Sequence, residues 1–122
     1  MNTSEVSDLF TQWNNAIQTR DPKVVTALYA SDATLLPTIS NIVRHNHAEI
    51  EDYFALFLPR GPIGELLEEN IRVIDTIAIN SGVYAFSFDD GSTAQARYSF
   101  VYKKIDSQWK IIEHHSSVMP EQ

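Results

Sequence analysis

The chain has 122 residues, 43% of them apolar and 11% aromatic, so it reads as one globular domain (residues 1–122) with material for a core, neither disordered nor collagen-like. Nine basic residues against sixteen acidic ones give a formal charge of −7, which argues against a nucleic-acid partner, because such binding rests on Lys and Arg neutralising phosphates. There is no cysteine for disulfides or thiolate metal sites, no run of the ~18 apolar residues that a membrane span needs, and no basic, apolar leader in Met1-Asn2-Thr3-Ser4-Glu5; the expected setting is the cytoplasm.

Val6, Leu9, Phe10, Trp13, Ala16 and Ile17 recur at spacings of three and four and predict an amphipathic helix, with Thr3 or Ser4 as its cap. Asp21-Pro22 reads as a cap followed by proline at the first helical position, opening a short second helix that buries Val25, Leu28 and Tyr29. Ala33-Thr34-Leu35-Leu36, stopped by Pro37, is a short strand. Asn46 with Glu49 three places on is a capping-box pattern, and the helix after it presents Ile50, Tyr53, Phe54, Phe57 and Leu58 on one face until Pro59-Arg60-Gly61-Pro62 ends it.

From Leu66 the period changes to two. Strands are expected at about 67–74, 77–88, 93–104 and 108–118, with turns at Asp89-Asp90-Gly91-Ser92 and Asp106-Ser107. Helices followed by an antiparallel run of strands is an α+β order. Twelve-residue strands span ~40 Å and must twist, so the expected architecture is three helices on a strongly curved antiparallel sheet, a cone with a pocket at its open end.

Alternation assigns the side chains to faces. Ala94, Ala96, Tyr98, Phe100 and Tyr102 share one face of their strand, and Tyr84, Phe86 and Phe88 share one face of theirs; these aromatic faces are expected beneath the helices. On the last strand Ile112, His114 and Ser116 point inward, while Trp109, Ile111, His115 and Ser117 point outward. The outer set, with Val83, Arg97, Ser99 and Val101, is apolar enough to call for a partner, and the economical one is a second copy of the chain, giving a homodimer or a larger ring.

The helix-helix-strand-helix-sheet order, Asp21-Pro22, Ala94…Arg97-Tyr98-Ser99-Phe100-Val101-Tyr102 and Trp109…His114-His115-Ser116-Ser117-Val118-Met119-Pro120 resemble the nuclear-transport-factor-two-like superfamily with its cystatin-like cone. Within it, the chain is similar to bacterial relatives of the association (hub) domain of calcium/calmodulin-dependent protein kinase II, from about Val6 to Pro120. The resemblance implies a curved sheet, a ligand-sized pocket and oligomers built through the sheet, as rings in the kinase and often as dimers in bacteria. Kinase hubs line the pocket with arginines. The positions matched to them here are Phe86, Phe100 and Ser116, so anion binding does not carry over, and the kinase and calmodulin labels carry over by name only.

The expected pocket residues are Trp13, Tyr53, Phe57, Phe86, Tyr98, Phe100, His114 and Ser116, which suit a small hydrophobic ligand but also serve as plain core. His114 is the candidate acid or base, with Tyr98 or Ser116 orienting a substrate; its competing reading is a hydrogen-bonded core histidine. Superfamily enzymes work with buried carboxylates in the cone, and Asp32, at the start of the first strand, is the one acid placed to reach it. His45 and His47 are two apart, but no third ligand accompanies them, so no metal is expected, and scattered glycines carry no nucleotide fingerprint, so no cofactor is expected. The expected function is a homo-oligomeric, small-molecule-binding or assembly domain. The alternative is a small-metabolite enzyme of isomerase, hydratase or biosynthetic type.

Overall fold

The computed structural model describes residues 2–121. Helix α1 runs Thr3–Gln18, α2 Pro22–Thr26 and α3 His47–Phe57, with a 3-10 turn at Leu58–Arg60. The strands are β1 Tyr29–Leu36, β2 Ile63–Ile74, β3 Ile77–Ser87, β4 Thr93–Ile105 and β5 Gln108–Val118. They form one sheet in the order β1-β5-β4-β3-β2, curled but not closed, against which the helices pack. The sheet is mixed rather than wholly antiparallel. β1 runs parallel to β5, because α3 and the turn after it carry the chain from one sheet edge to the other before the meander β2 to β5 begins.

Local chemistry sets the boundaries. Asn2, one residue before the expected caps, closes α1: its side chain accepts from the Glu5 N–H at 2.9 Å, and the Glu5 carboxylate accepts from the Asn2 N–H at 3.3 Å. Asp21 and Asn46 cap α2 and α3 through the N–H groups of Lys23 and Glu49. α2 ends at Thr26, so Tyr29 opens β1 instead of closing a helix. β2 begins at Ile63, before the predicted strand; it is an edge strand, and Glu65, Glu68 and Glu69 along it discourage pairing with another edge. The two-residue β4–β5 loop places Asp106 and Ser107 at φ of 50° and 65°, the left-handed pair that a tight hairpin requires.

Two irregularities shape the sheet. On β5 the register passes from Val101↔Glu113 to Tyr102↔Ile111, leaving Ile112 as the extra residue of a bulge. Beyond it the alternation is reversed. Ile111 therefore lies in the core at 2% exposure, and Trp109 packs half-buried against that core; neither belongs to the outer face where strict alternation had put it. On β2, Leu67 is similarly extra, and there Gly82 of β3 comes so close that a Cβ on it would overlap the backbone carbonyl of Glu68.

The core is an aromatic stack between α1, α3 and the concave face. Trp13 packs nearly parallel to Tyr84 and edge-on to Phe86 and Phe100, with centroids at 6.3, 6.0 and 5.5 Å. Among the described residues no helix is long and apolar enough to cross a membrane.

Gly82→Ala forces the β2 and β3 backbones apart, since the obstacle is a carbonyl rather than a flexible side chain. The expected loss is about 2 kcal/mol in urea unfolding, within the usual range for overpacking; unchanged stability would show that the sheet edge yields freely.

Candidate functional site

A cavity of about 210 Å³ lies between α3, the β1–α3 loop and the concave face of β3, β4 and β5. Its position follows from side-chain size. Ala94 and Ala96 on β4 leave space opposite Phe86 and Tyr84, whereas Phe100 and Tyr102 fill the far end of the same face. Of the expected pocket residues, Trp13, Tyr53, Phe57, Phe86, His114 and Ser116 line the cavity. Tyr98 and Phe100 do not: Phe100 is fully buried behind His114, and Tyr98 lies behind Tyr84 and donates to Asn80 Oδ1 at 2.8 Å. Leu35, Phe54, Tyr84, Phe88, Arg60 and Thr38 complete much of the wall. Their placement depends on long-range pairing, but the Ala-x-Ala of β4 ahead of three large rings was a readable sign of where volume is missing.

The polar end of the cavity is one hydrogen-bonded chain. Trp13 Nε1–H donates to Tyr29 Oη at 3.1 Å; Tyr29 Oη lies 2.8 Å from His114 Nδ1, and His114 Nε2 lies 3.2 Å from Tyr84 Oη. Tyr84 donates to Ser116 Oγ at 2.6 Å, and Thr38 Oγ1 contacts the same oxygen at 2.6 Å. His114 is 3% exposed, and its ring stacks on Phe100 at a centroid distance of 4.0 Å and 20°. Burial, with a smaller push from His115, drives its pKa from 6.5 down to about 3, so the ring is neutral. Burial likewise raises the phenols of Tyr29 and Tyr84, which keep their protons.

Neutrality fixes the direction of the chain. Trp13 is donor-only, so Tyr29 accepts from it, and the one neighbour able to take the Tyr29 hydrogen is Nδ1 of His114. The imidazole hydrogen is then on Nε2 and goes to Tyr84, whose own hydrogen goes to Ser116. The opposite tautomer would strand the Tyr29 hydroxyl hydrogen at a site 1% exposed, a cost of about 1–3 kcal/mol.

The loop wall, Pro37 to Ile39, is held by a residue that composition did not single out. Arg44 is 5% exposed, donates to Asp52 Oδ2 at 2.9 Å and to the Glu49 carbonyl at 3.1 Å, and lies over the Tyr53 ring. It fastens the β1–α3 loop to α3. At the mouth, the Arg60 guanidinium stacks 4.0 Å above Phe88.

Other candidates fall elsewhere. Asp32 is exposed on the irregular part of β1, between the paired Tyr29 and Thr34, and takes no part in the cavity. His45 pairs with Glu49 at 2.9 Å, while His47 Nε2–H donates to the Tyr29 carbonyl at 2.7 Å, so the two histidines serve different contacts. Among the described residues no group of three or more His, Cys, Asp or Glu is arranged to hold a metal ion. On the convex side, Val83, Ser99, Val101 and Ser117 are half-buried, and Arg97 and His115 are exposed. The row Val83↔Arg97↔Ser117 crosses three strands there, and Ser99↔His115 crosses two.

Residues 2–120 match the family model described as the calcium/calmodulin dependent protein kinase II association domain. The chain belongs to that family. No curated protein matches this association domain closely enough to count as a relative. Among solved structures, a Xanthomonas campestris protein named for the same association domain is 46% identical, with a TM-score of 0.96 over 100% of this chain and 91% of its own. A nuclear transport factor 2-like superfamily protein from Salmonella enterica has a TM-score of 0.82 at 18% identity, over 98% and 92% of the two chains. A Streptomyces avermitilis protein of the same superfamily, named as a candidate dehydratase, has a TM-score of 0.83 at 15% identity, over 95% and 94%. The last two establish the association domain's cone fold and nothing of its chemistry.

The buried imidazole ties stability to pH. The unfolded chain takes up a proton near pH 6.5 that the fold refuses down to about 3, so His114's contribution is complete above 6.5 and is lost as pH falls through that window. His114→Gln keeps a donor and an acceptor but binds no proton. The stability gap between wild type and this variant is expected to narrow by about 1 kcal/mol per pH unit between pH 6 and 4 in urea titrations; a gap that stays constant would mean the ring titrates normally.

Proposed function

We propose that this chain is a self-associating domain that binds a small, uncharged, largely apolar molecule in its cavity without transforming it. The observation that carries this reading is the state of His114. Both ring nitrogens are taken by phenols, and the ring stays neutral across physiological pH, which leaves it poorly suited to exchange protons with a substrate. The rest of the wall supports the same reading: aromatic faces from α1, α3 and β3, with Arg60 only at the mouth. A cavity of about 210 Å³ exceeds the ~150 Å³ that suffices for a benzene ring, so a substituted or fused ring fits. Acid–base catalysis at His114, the alternative reading, has no carboxylate beside it in the hydrogen-bonded chain to assist.

Trp13 lines the cavity and reports on it. In a Trp109→Phe background it is the remaining tryptophan, and its fluorescence should change saturably with indane, with sub-millimolar affinity, about −4 kcal/mol or better. Ala94→Phe, placed at the cavity lining, should abolish the change. If neither indane nor a ring-substituted indane alters Trp13 fluorescence, the binding reading fails.

Self-association is supported by the family membership and by the half-buried apolar side chains of the convex face, Val83 and Val101. Sedimentation velocity should show a dimer or larger ring that Val101→Glu shifts towards single subunits. A wild-type chain that remains a single subunit at about 100 μM, a concentration at which even a weak specific interface is populated, would refute it.

A further inference from the structure

The chain of hydrogen bonds at the cavity's polar end has a loose end. Trp13, Tyr29, neutral His114, Tyr84, Ser116 and Thr38 each bring one donor hydrogen, making six. The contacts that join them are five: Trp13–Tyr29, Tyr29–His114, His114–Tyr84, Tyr84–Ser116 and Ser116–Thr38. One hydrogen is always left over. The direction fixed by the buried Trp13 and Tyr29 sends the surplus to the Ser116–Thr38 end, and both of those residues line the cavity. Whichever of the two donates to the other, the second keeps its hydrogen for the cavity. That hydrogen also ends a series of donors all pointing one way, an alignment that polarises the last O–H and makes it a better donor.

We infer that the cavity selects a neutral aryl carbonyl compound, a ketone or aldehyde on a flat ring, with the ring among Trp13, Phe57 and Phe86 and the carbonyl oxygen accepting from the Ser116–Thr38 hydroxyl pair. This rests on the binding reading above and narrows it to a ligand class. A hydrocarbon fills the same walls but leaves the surplus hydrogen without an acceptor. An alcohol can accept it too, but brings a second hydrogen to an end of the chain already one hydrogen in excess.

The test compares 1-indanone, indane and 1-indanol, which share ring and size, by calorimetric titration of the wild type and of the Ser116→Ala/Thr38→Val double variant. The ketone should bind about tenfold more tightly than indane, the worth of one hydrogen bond from a polarised donor, and more tightly than the alcohol. The infrared carbonyl band of bound 1-indanone should lie at lower wavenumber than in hexane. In the double variant the ketone advantage should vanish while indane binding persists, which also shows that the variant is folded. Should that variant fail to fold, the wild-type affinities and carbonyl band decide by themselves. Equal binding of ketone and indane, tighter binding of the alcohol, or an unshifted band overturns the ligand class and leaves the binding reading standing. Failure of all three compounds to bind overturns both.

Discussion

An imidazole held between two phenols joins most of the shell. Tyr29 reaches His114 from β1, Tyr84 reaches it from β3, and Trp13 of α1 closes the chain on Tyr29. The concave face thus has a polar seam through an otherwise aromatic core. A seam of this kind is stable only if every member is satisfied, because an orphaned donor in such surroundings costs as much as a good hydrogen bond returns. The neutrality of His114 follows from the same condition. A protonated ring would present two donors to two phenols, one of which already accepts from Trp13, and would place an unpaired charge against Phe100.

The bulge at Ile112 makes this seam compatible with the rest of β5. Without the extra residue, a strand that points His114 and Ser116 inward would point Ile111 and Trp109 outward. With it, Ile111 and Trp109 also contribute to the core, and the strand is apolar-inward on both sides of the irregularity. A one-residue insertion has no signature in a pattern of period two, because Trp109-Lys110-Ile111-Ile112 alternates acceptably in either phase. For this reason the outer face was legible at Val83, Arg97, Ser99, Val101, His115 and Ser117 but not at Trp109 and Ile111.

Elsewhere, what could be read depended on whether the signal was local. Asp21 and Asn46 are caps by short-range chemistry, and the strands 77–88 and 93–104 alternate so regularly that their inner faces were plain. Tyr29 reads as helical because its spacing from Val25 is helical; its strand pairing is with Ile111, far along the chain. The cavity shows the same division. Its aromatic walls from α1, α3 and β3 were legible as one face each, whereas the meeting of Thr38, Tyr84 and Ser116 is made by tertiary structure across separations of up to 78 residues. His114 reads from the sequence as a polar group on an inner face, yet its chemistry is set by Tyr29, 85 positions away.

The polarity of the cavity is therefore a consequence of counting rather than of any single side chain. A chain of groups that each carry one donor hydrogen, begun by a donor-only indole and joined end to end, must finish with a hydrogen to spare. Reversing the chain would move that surplus to Tyr29, which is 1% exposed, where it would meet no acceptor. Of the two places where the surplus could sit, Tyr29 and the Ser116–Thr38 pair, the second lines the cavity. Fold stability and the chemical character of the cavity are thus set by one constraint: satisfying Trp13 and His114 in the core obliges the protein to present a donor among aromatic walls. Besides the aromatic walls and Arg60 at the mouth, the feature the cavity offers a guest is thus the directed, uncharged hydroxyl pair of Ser116 and Thr38.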